Sequence, residues 1–364
     1  MKNIFLIAAI SLFLFQNSEA QNYSDSTFLE QIDQARELIM KLKNEQNIPG
    51  ISIAVAKGGQ IIWKEGIGYA DTKNGLKVTT ETQFRTGSIS KSITAIGLAK
   101  LYDNGQIEWS DPVSKYLSYA EAPEYTFTIQ QLAGHMAGIR HYKGFEFFSN
   151  KQYSSIEHSL EVFKEDELLF EPGTQYQYTT YGYSLIGRLM EVVSGKPFID
   201  YMSEDVLSPL GMNRTVLEDA GLDESGKATF YGKGGKREAK EVDLSVKWAG
   251  GGFLSTPTDL VNMVNNAGRF ISYATLIDLI TPQQLPDGSS TGYGIGFKIS
   301  KVGSTGQTLV HHGGRISGAR PYLLALLDQQ LVIAICTNTE ADYGVAEVYE
   351  IAKSFIKEQG SLEE

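Results

Sequence analysis

The sequence holds a single cysteine, Cys336, so no disulfide can form within the chain. Its setting in the apolar run "LVIAICTNTE" marks a buried, inert thiol rather than a nucleophile. Histidine is scarce too: the five, at positions 135, 141, 158, 311 and 312, never fall into a metal-ligand spacing such as H-E-x-x-H. No metal and no cofactor are therefore expected. Positive charge is in deficit, with a net charge of −11 and no basic stripe, which argues against a nucleic-acid partner or an anionic membrane surface. Long apolar runs are missing except Ile4–Phe15, which is too short to span a bilayer comfortably. With Lys2 ahead of it and small residues at Ser18 and Ala20, that run reads as a signal peptide, residues 1–20, cleaved after Ala20. The expectation is an exported protein, periplasmic or extracellular, without stable membrane insertion once the leader is removed. What remains is chemistry on a small-molecule or peptide substrate.

The mature chain shows no repeat and no interdomain linker, so residues 21–364 are expected to form one domain. Residues 27–46 place Ile32, Ala35, Leu38, Ile39 and Leu42 at helical spacing. "GISIAVAKGGQIIWKEGIGYAD" gives two β-rich runs about Gly58-Gly59, the signature of a hairpin with a primed turn. A second hairpin is expected in "PYLLALLDQQLVIAICTN", preceded by the short run "TLVHH" and followed by the helical "GVAEVYEIAKSFIKEQ". Between them, about residues 88–285, the segments are mostly helical or loop-like: "SKSITAIGLAKLYDNG" stops at Asn-Gly and "YGYSLIGRLMEVVSG" at Gly195. The fold class is α/β of the α+β type. An antiparallel sheet built from both chain ends, about 48–87 and 290–340, is flanked by helices, with a largely helical middle region.

Chemistry is concentrated in "FRTGSISKSITA". Ser88 and Lys91, three apart at the opening of a helix, share one face, and a serine hydroxyl needs a neighbouring base before it is a useful nucleophile. The pattern alone is common, and a second copy, Ser354 to Lys357, sits in the C-terminal amphipathic segment. "GSSTG", Gly288 to Gly292, matches the nucleophile elbow but follows a Pro-Asp-Gly loop instead of a strand. "GLDESGKA" resembles a phosphate loop but ends in Ala228 where a metal-binding hydroxyl should stand.

Further pieces follow in order: "IPGISIAVAKGG", "DPVSKYL", "LAGHMAGIRHY", "FEPGTQYQYTTYGYSLIG", "WAGGGFLSTPTDL" and "HHGGRISGARPYLL". With "FRTGSISKSITA" they cover nearly all of the mature chain. In this order they resemble the serine β-lactamase and penicillin-binding-protein superfamily, in its class C-like branch. "HMAGIRHY", "YTTYGY" and "GGRISGAR" are most similar to the mitochondrial serine β-lactamase-like proteins.

The resemblance implies a β-lactamase/transpeptidase-like fold and a set of roles. Ser88 would be the nucleophile and Lys91 its general base or proton relay. Tyr178, first in the family's Y-x-N loop, would pass a proton to the leaving group. His311-His312-Gly313 would replace the K-T-G strand that binds the substrate backbone, and the amides of Ser88 and Gly314 would form the oxyanion hole. Thr180, His312, Gly313 and Arg315 would contact substrate. Two departures stand out: Thr180 replaces the asparagine that grips an acylamino group, and His311 replaces the lysine with a switchable imidazole. For Arg315 and Arg320 two readings stand side by side, a source of the missing charge or a solvated surface arginine. His135 reads as a structural histidine and Glu171 as a solvated loop carboxylate. Tyr181 and Tyr183 either line the cleft or pack beneath Tyr178. The glycines at 249–252 serve close backbone approach.

The leading expectation is a serine hydrolase forming an acyl-enzyme on Ser88 and acting on ester or peptide-like amide substrates. The alternatives are a true β-lactamase or D,D-carboxypeptidase, and a non-catalytic scaffold that keeps the fold. Oligomeric state is not legible.

Overall fold

The computed structural model describes residues 21–118, 127–219, 224–303 and 305–356; the expected leader and Lys357 of the second S-x-x-K copy lie outside them. The strands, in chain order, are β1 (Tyr23–Ser24), β2 (Gly50–Lys57), β3 (Gln60–Asp71), β4 (Leu76–Lys77), β5 (Phe84–Arg85), β6 (Val216–Leu217), β7 (Phe253–Ser255), β8 (Lys298–Lys301), β9 (Thr308–Gly313), β10 (Tyr322–Leu326) and β11 (Leu331–Thr337). The main sheet has the order β1-β3-β2-β11-β10-β9-β8, with β4 paired to β3, and all of its pairings are antiparallel. Both chain ends thus build one sheet, joined where β11 pairs with β2. A small second sheet, β5-β7-β6, lies in the middle region.

The β2–β3 hairpin turns at Gly58 and Gly59, whose φ values of 60° and 78° suit the primed turn and exclude most side chains. Alternation along the strands separates two kinds of side chain. Ile51, Ile53, Val55, Ile333 and Ile335 face the terminal helices Leu29–Glu45 and Val345–Lys353 through Ile32, Ile39, Val348 and Ile351. Ala54, Ala56, Ala325, Ala334 and Cys336 face the helical region on the other side. Small residues on that face let helices approach the sheet closely, which makes this interface the larger of the two cores. Cys336 lies within it, and burial pushes its thiol pKa up, away from reactivity.

The helix Ile89–Asp103 runs through this larger core with nearly every residue buried, which is why its apolar pattern is not one-sided. Its small hydroxyls satisfy neighbouring carbonyls and hydroxyls: Thr94 donates to the Ala249 carbonyl at 2.7 Å, and Ser90 pairs with Thr86 at 2.8 Å. These bonds tie the start of the helix to β5 and to the turn Trp248–Gly251. The helix Tyr181–Ser194 packs on the same turn and ends at Gly195 in the left-handed conformation, φ 69°. Three separate segments are therefore gathered at one helix N-terminus.

Candidate active site

Ser88 sits immediately before the helix Ile89–Asp103, after Gly87 at φ +48°. Lys91, one turn on, is 0% exposed, and its Nζ is 3.3 Å from Ser88 Oγ, 3.1 Å from Thr180 Oγ1 and 2.7 Å from the Gly250 carbonyl. No carboxylate shares this arrangement. Burial, with the positive charges of Lys247 and Lys298, holds the Lys91 pKa well below the ordinary lysine range. A neutral lysine has two N–H bonds and one lone pair. The Gly250 carbonyl and the Thr180 hydroxyl accept the two hydrogens, which leaves the lone pair for the Ser88 hydroxyl proton.

Tyr178 closes the other side. Its ring lies 4.8 Å from Lys91 Nζ, and its hydroxyl is buried without a well-aligned hydrogen bond, with Ser88 as the adjacent hydroxyl. Burial raises its pKa well above 10, so the phenol stays protonated. Two histidines hold the backbone that follows it: His135 Nδ1 accepts the Thr179 N–H at 3.3 Å, and His141 Nδ1 accepts the Thr180 N–H at 3.1 Å. His135 is buried, with its ring 4.4 Å from that of Tyr178, which agrees with a structural role. Tyr181 and Tyr183 pack beneath: their hydroxyls reach Glu146 at 2.9 Å and the Ala133 carbonyl at 3.0 Å. Glu171 is exposed in a turn whose carbonyl takes the Thr174 hydroxyl, and it does not line the cavity.

Two expectations need correction. His311 does not face Ser88. Its cross-strand partner Leu324 belongs to the terminal-helix core, whereas Leu323, opposite His312, belongs to the core that carries the site. His311 is held instead by the Tyr322 hydroxyl at 2.8 Å and the Ser300 hydroxyl at 3.0 Å. Burial and the charge of Lys298 lower its pKa to about 4, so it is no switch near neutrality. His312 is the one that faces inward: its Nδ1–H donates to the Gly313 carbonyl at 2.8 Å, and Nε2 accepts from the Tyr293 hydroxyl at 3.2 Å.

The second correction concerns the oxyanion hole. The Gly314 N–H is already committed to the Pro321 carbonyl at 2.8 Å. The backbone nitrogen next along the chain, that of Arg315, lies close to the residue that precedes the nucleophile: a methyl group on Gly87 would stand 3.0 Å from it. Gly313 packs on the Tyr322 ring. Arg320 is also placed away from the site, with Nε and Nη2 on the Tyr343 carbonyl at 3.1 and 2.9 Å.

A cavity of about 200 Å3 opens over Ser88 between Gly87, His141, Tyr142, Phe147, Lys247 and Arg315, large enough for a compact acyl donor. Lys247 was not singled out from the sequence, although it stands just ahead of "WAGGG". It is 1% exposed and donates to the Phe147 carbonyl at 2.9 Å; burial and the charge of Arg85 bring its pKa down to about 8. Lys298, opposite His311 on β8, sets its ammonium 5.7 Å from the Tyr178 ring. The site is thus rich in cations, and none of the residues lining the cavity is an aspartate or glutamate. Among the described residues no cluster of His, Cys, Asp and Glu is arranged to hold a metal ion.

The human mitochondrial serine beta-lactamase-like protein LACTB is 32% identical over 311 residues, 65% of this chain and 56% of its own. Penicillin-binding protein 4* of Bacillus subtilis (strain 168) is 26% identical over 314 residues, 80% of this chain and 68% of its own. The chain thus spans little more than half the length of the LACTB proteins it matches. Among solved structures, the octameric penicillin-binding protein homologue from Pyrococcus abyssi superposes with a TM-score of 0.77 at 25% identity, over 88% of this chain and 77% of that one. The beta-lactamase family profile matches residues 32–353, and with that match, the shared fold and the arrangement of Ser88, Lys91 and Tyr178, the chain belongs to the beta-lactamase family.

Proposed function

We propose that this protein is a serine hydrolase that forms an acyl-enzyme on Ser88 and transfers the acyl group to water, acting on ester or peptide-like amide substrates. The observation that carries the reading is the fully buried Lys91, its pKa held well below the ordinary lysine range by its surroundings, 3.3 Å from the Ser88 hydroxyl. Lys91 takes the Ser88 proton as Oγ bonds to the substrate carbonyl carbon. The carbonyl oxygen takes up the charge and is met by the Ser88 and Arg315 amides. Tyr178, held protonated, gives a proton to the leaving oxygen or nitrogen as its bond to carbon breaks, and is recharged from Lys91. Water then attacks the ester carbonyl and Ser88 leaves with its proton restored.

Thr180 and the inward-facing His312 depart from the asparagine and lysine expected of a β-lactam site, so p-nitrophenyl acetate should be a far better substrate than nitrocefin. Export through cleavage after Ala20 belongs to the same proposal; among the described residues no helix is long and apolar enough to cross a membrane. The test is labelling with a fluorophosphonate probe alongside p-nitrophenyl acetate hydrolysis. Both should be lost in Ser88→Ala, and Lys91→Ala should lose turnover to a similar extent because the two act as a unit. A wild-type protein that neither labels nor turns over supports the scaffold reading instead.

A further inference from the structure

The Tyr178 hydroxyl is buried and makes no well-aligned hydrogen bond, so nothing at its tip fixes the direction in which it points. Its aim is set from behind. The two backbone amides that flank Tyr178 are both taken by one residue, His135: the Gln177 N–H donates to the His135 carbonyl at 2.9 Å, and the Thr179 N–H donates to His135 Nδ1 at 3.3 Å. The His135 ring also lies 4.4 Å from the Tyr178 ring, nearer than the rings of His141, Tyr293 and His312 at 5.9, 6.1 and 6.2 Å. The backbone on both sides and the ring itself are thus held from a single position.

That position is a strained one. His135 follows the helix Ile129–Ala133 and its cap Gly134, and takes φ +65°, a left-handed conformation that any residue with a Cβ adopts at a cost. A glycine would take that backbone without strain but would offer no acceptor to Thr179. Strain of this kind persists where the surroundings over-determine it, and it gathers at functional sites. Because Nδ1 accepts, the ring hydrogen sits on Nε2, and turning the ring over would strand the amide of Thr179, which is 2% exposed. Burial above all, with the neighbouring Lys91, holds the His135 pKa well below the ordinary histidine value, so Nδ1 keeps its lone pair.

Resting on the acyl-enzyme reading, we propose that His135 is a positioning residue that aims the Tyr178 hydroxyl at the leaving group, by holding the amides on both sides of Tyr178 and packing against its ring. His135 does not line the cavity over Ser88, so it acts through Tyr178 and not on the substrate. It matters, then, where the departing group needs a proton and hardly at all where it does not. An alkyl ester must receive the Tyr178 proton on its oxygen as the bond from that oxygen to the acyl carbon breaks, whereas p-nitrophenolate leaves as a stable anion.

The test measures kcat/KM, which covers the steps through acylation, for ethyl propionate and p-nitrophenyl propionate, two esters with one acyl group. His135→Leu keeps bulk but not the acceptor, and should lower the ethyl ester about 10- to 100-fold while the aryl ester stays within about threefold. His135→Ala carries the same comparison if the leucine variant does not fold. His135→Asn places an oxygen where Nδ1 stands and tolerates the left-handed backbone, and should recover most of the ethyl-ester activity. Tyr178→Phe should show the same selective loss, and adding His135→Leu to it should lower the ethyl ester no further, because the two act as one unit. A loss shared equally by both esters in His135→Leu, no recovery in His135→Asn, or losses that multiply in the double variant overturns the proposal. Ethyl-ester hydrolysis that survives Tyr178→Phe, or aryl-ester hydrolysis that survives Ser88→Ala, refutes instead the acyl-enzyme reading, so the two failures are distinguishable.

Discussion

Replacing Gly87 with alanine tests the oxyanion assignment without touching a catalytic side chain. Gly87 has φ +48°, and a Cβ there would stand 3.0 Å from the Arg315 nitrogen and 3.3 Å from its carbonyl carbon and oxygen. Two effects follow. The left-handed conformation costs an alanine about 1–2 kcal/mol, which lowers Tm by roughly 1–3 °C in a chain of this size. Separately, the Arg315 backbone must shift by a few tenths of an ångström to relieve the contact, which displaces its amide. Complete loss of one oxyanion donor costs about 10²–10³ in kcat, so a partial displacement should cost about 10- to 100-fold. Measured by p-nitrophenyl acetate turnover and scanning calorimetry on the same preparation, the variant should stay folded with a modest Tm loss while kcat falls far more than KM rises. A kcat within twofold of wild type at the expected Tm would refute the placement of the oxyanion hole between Ser88 and Arg315.

Lys247→Met removes a positive charge that helps hold Lys91 unprotonated. Lys91 should regain proton affinity, and the acid limb of the kcat/KM profile should move to higher pH; a limb that stays in place or moves down contradicts the electrostatic role. His311 has a folded-state pKa of about 4 against an ordinary 6.5, so the stability it contributes is fully present above 6.5 and is lost as pH falls toward 4. The loss is about 3 kcal/mol at most, and His311→Asn should flatten the dependence of Tm on pH in that window by a matching amount. An unchanged slope in the variant would show that His311 is not buried as a neutral ring.

Local pattern was enough for much of this protein. Helical spacing located the helix Leu29–Glu45, Gly58-Gly59 located the β2–β3 hairpin, and both chain ends read as strands because their alternation and β-branched residues are local properties. Edge strand β8, "KISK", escaped because it has no apolar face to alternate, and strands β5, β6 and β7 are too short to show a period. Ser88 and Lys91 were legible for the same local reason: three residues on a helix always share a face.

Tertiary structure alone decided the rest. Whether His311 or His312 faces the nucleophile is a matter of strand parity, and a one-residue shift sends the other side chain to the far side of the sheet. Which amide is left for the proposed oxyanion hole depends on the Gly314 N–H being taken by the Pro321 carbonyl, an interaction that no spacing announces. Lys247 and His141 lie 156 and 50 positions from Lys91 by number in the sequence, yet the packing of the turn Trp248–Gly251 and of the Tyr178 loop brings both to one cavity. Composition and periodicity determine which residues must be buried and which segments turn. The direction in which a buried polar group points is set by the partners that arrive from elsewhere in the chain, because only they can satisfy its hydrogen bonds or depress its charge.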